Sequence, residues 1–172
     1  MRLRNLLFFV VFCLATSISV AETGDEYSLY LVRHAEKQAD GSRDPELTQA
    51  GKKRSFQLAH WLQNKNIDEI WSSDYKRTRN TAMPLATRLH YELNIYDPRD
   101  QSVLVEDLTQ SRNNAFIVGH SNTIPELARQ LCDCFIADME ESEYDRMIII
   151  SSGHTGIQVK TLQQQQLFQS ED

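Results

Sequence analysis

Cysteine is scarce in this chain of 172 residues: there are three, and Cys13 lies inside an apolar amino-terminal stretch. The other two, Cys132 and Cys134, have no histidines beside them, so they do not make a zinc site. In an oxidising compartment they could pair, although a bridge across one residue is strained and closes little chain; two free thiols are the alternative. Basic side chains are also in deficit, 18 Lys and Arg against 24 Asp and Glu. A nucleic-acid binder would carry a basic stripe, which this balance argues against. Any anion site must then be a local concentration of positive charge with weak long-range steering. Long apolar runs are missing too: Leu6 to Ala15 falls short of the roughly 20 residues that a spanning helix needs. No internal repeat is present.

What the amino terminus does have is a basic start at Arg2 and Arg4, the short apolar core, and a small-x-small ending at Ser19-Val20-Ala21. That is the pattern of a secretory signal peptide over residues 1–21, cut after Ala21. An uncleaved anchor is the alternative, and Phe12-Cys13-Leu14 lacks the small residues of a lipoprotein site. Cleavage would take the net charge from −6 to −8, since the leader carries two arginines and no acid. The remaining residues 22–172 suit one domain, because a chain of about 150 residues can bury roughly 68–70% of its unfolded surface. The expected product is exported, periplasmic or secreted, with no stable membrane span.

The mature sequence alternates strand and helix patterns. Tyr27 to Val32 reads as a buried strand that stops abruptly at Arg33-His34. A polar loop to Pro45 leads to a helix capped by Thr48, with Leu58, Ala59 and Leu62 on one stripe. Ile67 to Trp71 is a second strand, and Ser72 to Ala82 leads into a helix in which Pro84 predicts a kink. Leu93 to Tyr96 is a third strand. Asp100 is placed to cap a helix through Leu108. Ala115 to Gly119 is a fourth strand, running into His120, and Thr123-Ile-Pro-Glu126 has the form of a capping box. Tyr144–Ile150 and Gly156–Thr161 read as an edge hairpin joined by Ser151–Thr155. The four glutamines from Gln163 to Gln166 read as a solvated tail.

This alternation predicts a three-layer α/β/α domain with a largely parallel sheet. Parallel strands put their carboxyl ends on one edge, where ligands of open α/β sheets bind. Arg33-His34, Ser72 to Arg79, Asp97 to Asp100 and Gly119-His120 then gather there. Clustered arginines and histidines suit a phosphoryl group, since guanidinium forks match phosphate oxygens and a helix amino terminus beside Gly119 is itself an anion site. A neutral imidazole is a nucleophile near neutral pH. Residue types alone do not choose between His34 and His120.

Leu31-Val-Arg33-His34-Ala-Glu-Lys37, Ser72-Ser73 with Arg77, Thr81 and Ala82, and Val118-Gly119-His120-Ser121 together resemble the motifs of the histidine phosphatase superfamily, the phosphoglycerate mutase-like fold. The resemblance spans roughly residues 27–128. It implies that His34 is the nucleophile that becomes phosphorylated, that Arg33, Arg77 and His120 complete the catalytic phosphate pocket, and that no metal or organic cofactor is used. The departure concerns the general acid: larger members supply a glutamate from an insertion, another branch an aspartate after the second histidine, and here Ser121-Asn122 follows His120. Asp97 is the preferred substitute by topology, Asp100 the other, with a plain helix cap as its bland role.

The expected activity is a metal-independent phosphatase acting on a small phosphomonoester or related phosphoryl compound. A non-catalytic phospho-ligand binding module is one alternative, and a phosphohistidine protein phosphatase, favoured by size but not by export, is another. A mutase would need a lid that excludes water, and no segment suggests one. His60, His90 and His154 read as surface or packing residues, Glu36-Lys37 as a solvated pair, Arg79 as an outward charge, and the four acids of Met139–Asp145 as a solvated loop.

Overall fold

The strand Tyr27–Arg33 (β1) is buried from Leu29 onward because it has a neighbour on each side and helices over both faces. The computed structural model describes residues 26–168; the leader predicted for residues 1–21 lies outside them. After β1 come α1 (Gln49–Leu62), β2 (Glu69–Ser73), α2 (Lys76–Leu89), β3 (Asn94–Tyr96) and α3 (Ser102–Ser111). Then follow β4 (Ala115–Gly119), α4 (Thr123–Cys132), β5 (Arg146–Gly153), β6 (Gly156–Gln163) and α5 (Gln164–Phe168). The sheet order is β3-β2-β4-β1-β5-β6. The first four strands in that order are parallel, while β5 and β6 are antiparallel.

Alternate residues of each central strand feed opposite cores, as the period of two requires. Leu29, Leu31, Ile117 and Ile148 pack with α3 and α4 through Leu104, Leu108, Ile124 and Leu127. Val32, Ile70, Phe116 and Met147 pack with α1 and α2 through Leu58, Leu62, Ala82 and Leu85. The three-layer α/β/α expectation therefore holds, with two antiparallel strands at one side.

Local expectations fared unevenly. Thr48 does cap α1, its hydroxyl accepting from the Gly51 amide at 3.1 Å and donating to the Glu36 carbonyl at 3.2 Å. Helix α2 runs on through Pro84 to Leu89. At α3 the capping position falls on Gln101, and Asp100 instead accepts from the amide and hydroxyl of Ser102. The capping box before α4 does not form: Asn122 is the cap residue, and the Thr123 hydroxyl accepts the His120 amide at 3.0 Å. The hairpin turn shrinks to His154-Thr155, because Ser151–Gly153 remain paired in β5 and Gly156, at φ +98°, opens β6. Gln164 is buried and hydrogen-bonded to Arg54 and to main-chain carbonyls, so the glutamine run is not wholly solvated. Cys132 and Cys134 are joined in a disulfide, their Cα atoms 5.2 Å apart.

Gly51 lies so close to the Glu36 backbone that a Cβ there would collide with its carbonyl oxygen. This contact, with the Thr48 hydroxyl, docks the loop after His34 onto α1. Thr48→Ala is expected to cost about 1 kcal/mol. Gly51→Ala should cost about 1–3 kcal/mol, because the clash outweighs the roughly 1 kcal/mol that alanine gains in a helix. Urea denaturation checks both, and an unchanged Gly51→Ala midpoint would contradict the close approach.

Candidate active site

Parallel pairing sets Arg33 of β1 opposite Gly119 of β4, so His34 and His120 leave adjacent strand ends together. Gly119 has no space for a side chain: a Cβ would stand 2.6 Å from the Tyr96 hydroxyl and 2.9 Å from Ile124 Cδ1. The His34 amide donates to the Gly119 carbonyl at 2.9 Å, which fixes the exit from β1. His34 Nδ1 lies 2.8 Å from the Ala35 carbonyl oxygen, an acceptor only, so the proton sits on Nδ1 and Nε2 keeps its lone pair. Thr81 then accepts the Ala35 amide at 2.9 Å while donating to the Arg77 carbonyl, tying this loop to α2.

The second imidazole is held from the opposite side. Arg77 Nη2, which can only donate, faces His120 Nδ1 at 3.5 Å, leaving the His120 proton on Nε2 for the Ser73 hydroxyl at 2.9 Å. Ser73 in turn donates to Thr78 at 3.1 Å. The two imidazole centroids are 5.6 Å apart. Tyr75 stacks under the Arg77 guanidinium at 4.4 Å and meets the His120 ring edge-on at 5.0 Å. The Nε and Nη1 of Arg77 are buried without a hydrogen-bond partner, although Asp44 lies 3.5 Å from Nη1.

Arg33 is placed differently from the simple pocket picture. Its side chain is 1% exposed and turns toward the segment Met139–Asp145, the expected solvated acidic loop. Nη1 donates to the carbonyls of Glu140, Glu141 and Glu143 at 3.1, 2.7 and 3.1 Å, and Nη2 to the Glu141 carboxylate at 3.0 Å. Tyr144 stacks on it at 4.1 Å, and its ring centroid is 6.0 Å from that of His34. Glu141 also accepts from the Ser121 hydroxyl, which follows His120. Sequence reasoning missed Glu141 and Tyr144. Their only signal was an aromatic inside an acidic run, with nothing nearby in sequence to pair with it.

The four predicted residues, Arg33, His34, Arg77 and His120, line one cavity of about 650 Å³, with Lys37 and Glu141. Asp97 and Asp100 do not line it. Asp97 is bound to the main chain and guanidinium of Arg99, and Asp100 to Ser102, so each carboxylate closes its own turn. Glu36 turns away to pair with Arg54 at 2.7 Å rather than forming a solvated pair with Lys37. Arg79 pairs with Asp74 at the surface, His90 is the left-handed residue closing α2, and His154 sits in the hairpin turn. Among the described residues no three His, Cys, Asp or Glu side chains are grouped to hold a metal ion.

Burial holds the His34 imidazole down at about 3, with Arg33, His120 and Arg77 pushing the same way against the Ala35 hydrogen bond. Burial likewise holds His120 at about 4, helped by Arg77 and Arg33. Both rings are neutral at pH 7. Glu141 lies below the usual carboxylate range, chiefly through its Ser121 hydrogen bond, with Arg33 and Lys37 adding to it.

The chain has the architecture of the phosphoglycerate mutase-like α/β fold. Residues 29–100 match the model of the histidine phosphatase superfamily (branch 1). Over 71 residues the chain is 39% identical to phosphoserine phosphatase 1 of Hydrogenobacter thermophilus, a match covering 38% of this chain and 34% of that protein. The chain thus spans about a third of that relative's length. It is 25% identical over 159 residues to the probable phosphoglycerate mutase GpmB of Erwinia tasmaniensis, covering 78% and 74% of the two chains. The protein histidine phosphatase SixA, solved with tungstate, superposes with a TM-score of 0.68 at 15% identity, over 81% of this chain and 99% of that one. A mycobacterial glucosyl-3-phosphoglycerate phosphatase gives 0.63 at 15% identity, over 81% and 98%. The structural likeness speaks for the fold. The family model matches only the amino-terminal part of the described chain, from β1 through β3, and the relatives matched in sequence carry phosphatase and mutase names.

The buried imidazoles give a stability signature. An unfolded histidine takes its proton near 6.5, whereas His34 and His120 wait until about 3 and about 4. The unfolded chain therefore binds more protons below 6.5, and this part of the stability, present above 6.5, is lost as pH falls toward those values. His34→Gln should flatten the fall in denaturation midpoint between about pH 6.5 and about pH 4. A ring titrating near 6.5 in the folded protein, seen by NMR for either residue, would contradict the assignment.

Proposed function

We propose that the chain is a phosphatase working by covalent phosphoryl transfer to His34. The observation that carries this is the pairing of an aimed imidazole lone pair with buried Arg77 donors that make no hydrogen bond, Nη1 having only the Asp44 carboxylate at 3.5 Å. Unsatisfied buried N–H groups are costly, and a phosphoryl oxygen would satisfy them. His34 Nε2 attacks phosphorus, the bond to the leaving oxygen breaks, and the phosphoryl group passes to the ring. Water then attacks the phosphohistidine, releasing inorganic phosphate and restoring Nε2. Arg77 holds the transferred group, and His120, fixed between Arg77 and Ser73, borders it; stabilising the developing charge is the main work of such a site. Arg33 contributes positive charge beside the ring, with Nε as its unpartnered donor. The scheme requires no metal.

The substrate proposed is a small phosphomonoester or related phosphoryl compound, and the leader supports an exported domain over residues 22–172. With Asp97 and Asp100 occupied in their own turns, leaving groups that need little protonation would go fastest: phosphoramidates, acyl phosphates and aryl esters. That favours a second reading, a phosphohistidine protein phosphatase, to which the likeness of fold to SixA also lends support. A pocket that binds phospho-ligands without turnover is the remaining alternative.

Hydrolysis of p-nitrophenyl phosphate with a chelator present tests the central claim. Turnover should persist and fall about 10³-fold or more in His34→Ala, and about 10²- to 10³-fold in Arg77→Ala. Labelled enzyme quenched during turnover should carry an acid-labile, base-stable phosphoryl group that His34→Ala lacks. A folded wild type that binds vanadate but never turns over would favour the binding module.

A further inference from the structure

We propose that Glu141 is a built-in anion that competes with the phosphoryl group for Arg33 and so sets how tightly the site accepts its ligand. This rests on the phosphoryl-site reading above. The Glu141 carboxylate lines the same cavity as His34, His120 and Arg77, and takes Arg33 Nη2 at 3.0 Å. Its second oxygen takes the Ser121 hydroxyl, so both oxygens are engaged at the cavity wall. The Arg33 side chain is 1% exposed whereas that of Glu141 is 78% exposed, so the cation is fixed and the anion can swing out into water.

The rest of the segment does not depend on that carboxylate. Arg33 Nη1 holds three main-chain carbonyls of Glu140, Glu141 and Glu143, and Arg146 holds the Ala137 and Asp138 carbonyls at 2.8 and 2.9 Å. Arg129 holds the Ile136 carbonyl and the Asp138 carboxylate. Displacing the Glu141 side chain therefore releases one guanidinium nitrogen and one hydroxyl without unfastening the strap. An arriving phosphoryl oxygen can take both, and two anions on one guanidinium edge repel each other. Glu141 thus raises the ligand concentration needed to fill the site and speeds release of inorganic phosphate.

Glu141→Gln tests this with little change of shape. Binding of inorganic phosphate and of orthovanadate is measured by calorimetry on the full chain, wild type and variant, alongside turnover of an aryl and an alkyl phosphate. Both anions are expected to bind about tenfold more tightly to the variant, the scale of one charge-assisted hydrogen bond, with KM lowered in step. A purely structural role would not tighten binding. If wild type binds and the variant binds equally or more weakly, the competition is overturned while the phosphoryl site stands. Unchanged binding with loss of alkyl but not aryl turnover would make Glu141 the missing acid instead. No binding by either protein overturns the phosphoryl site and this proposal with it.

Discussion

A guanidinium buried at the end of the central strand is the constraint around which this molecule is arranged. Arg33 sits at 1% exposure, where an unpaired charge would be very costly. Its partners are three carbonyls, one carboxylate and the face of Tyr144, all from the strap between α4 and β5. The strap must therefore cross the carboxyl end of β1. Its next residues then run back beside β1 as the antiparallel strand β5, so satisfying one side chain also accounts for where the parallel order ends.

The same crossing closes one wall of the cavity and controls its electrostatics. Two arginines beside two imidazoles would be unfavourable if the rings were charged; burial and those arginines keep both neutral. Neutral rings then have definite tautomers. The Ala35 carbonyl sets that of His34 and Arg77 that of His120, so the lone pair of one and the proton of the other point in fixed directions. The net negative charge of the chain is no obstacle, since the cavity carries its own positive charge at short range.

Much of this was legible in the sequence. The buried run ending at Arg33-His34 and the run ending at Gly119-His120 predicted parallel strand ends that share a site, because strand periodicity and an abrupt polar stop are local signals. Thr48 was legible as a cap for the same reason. Asp100 and Thr123 were misread by a residue or a role: Asp100 takes the amide and hydroxyl of Ser102 from one position before the cap residue, and Thr123 takes the His120 amide, which precedes the helix. The choice among neighbouring donors depends on geometry that composition does not carry.

By itself the sequence determined the strand and helix order, the two central strand ends and the residue types of an anion pocket, since each depends on neighbours a few positions apart. Only the tertiary structure decided that the acidic run is a strap on Arg33, that Asp97 and Asp100 turn from the cavity, and that Glu141 lines it. The strap rests on contacts between residues 107 to 110 positions apart, where a buried cation takes whichever acceptors the packed chain brings within reach, while Asp97 and Asp100 are held by donors two residues on.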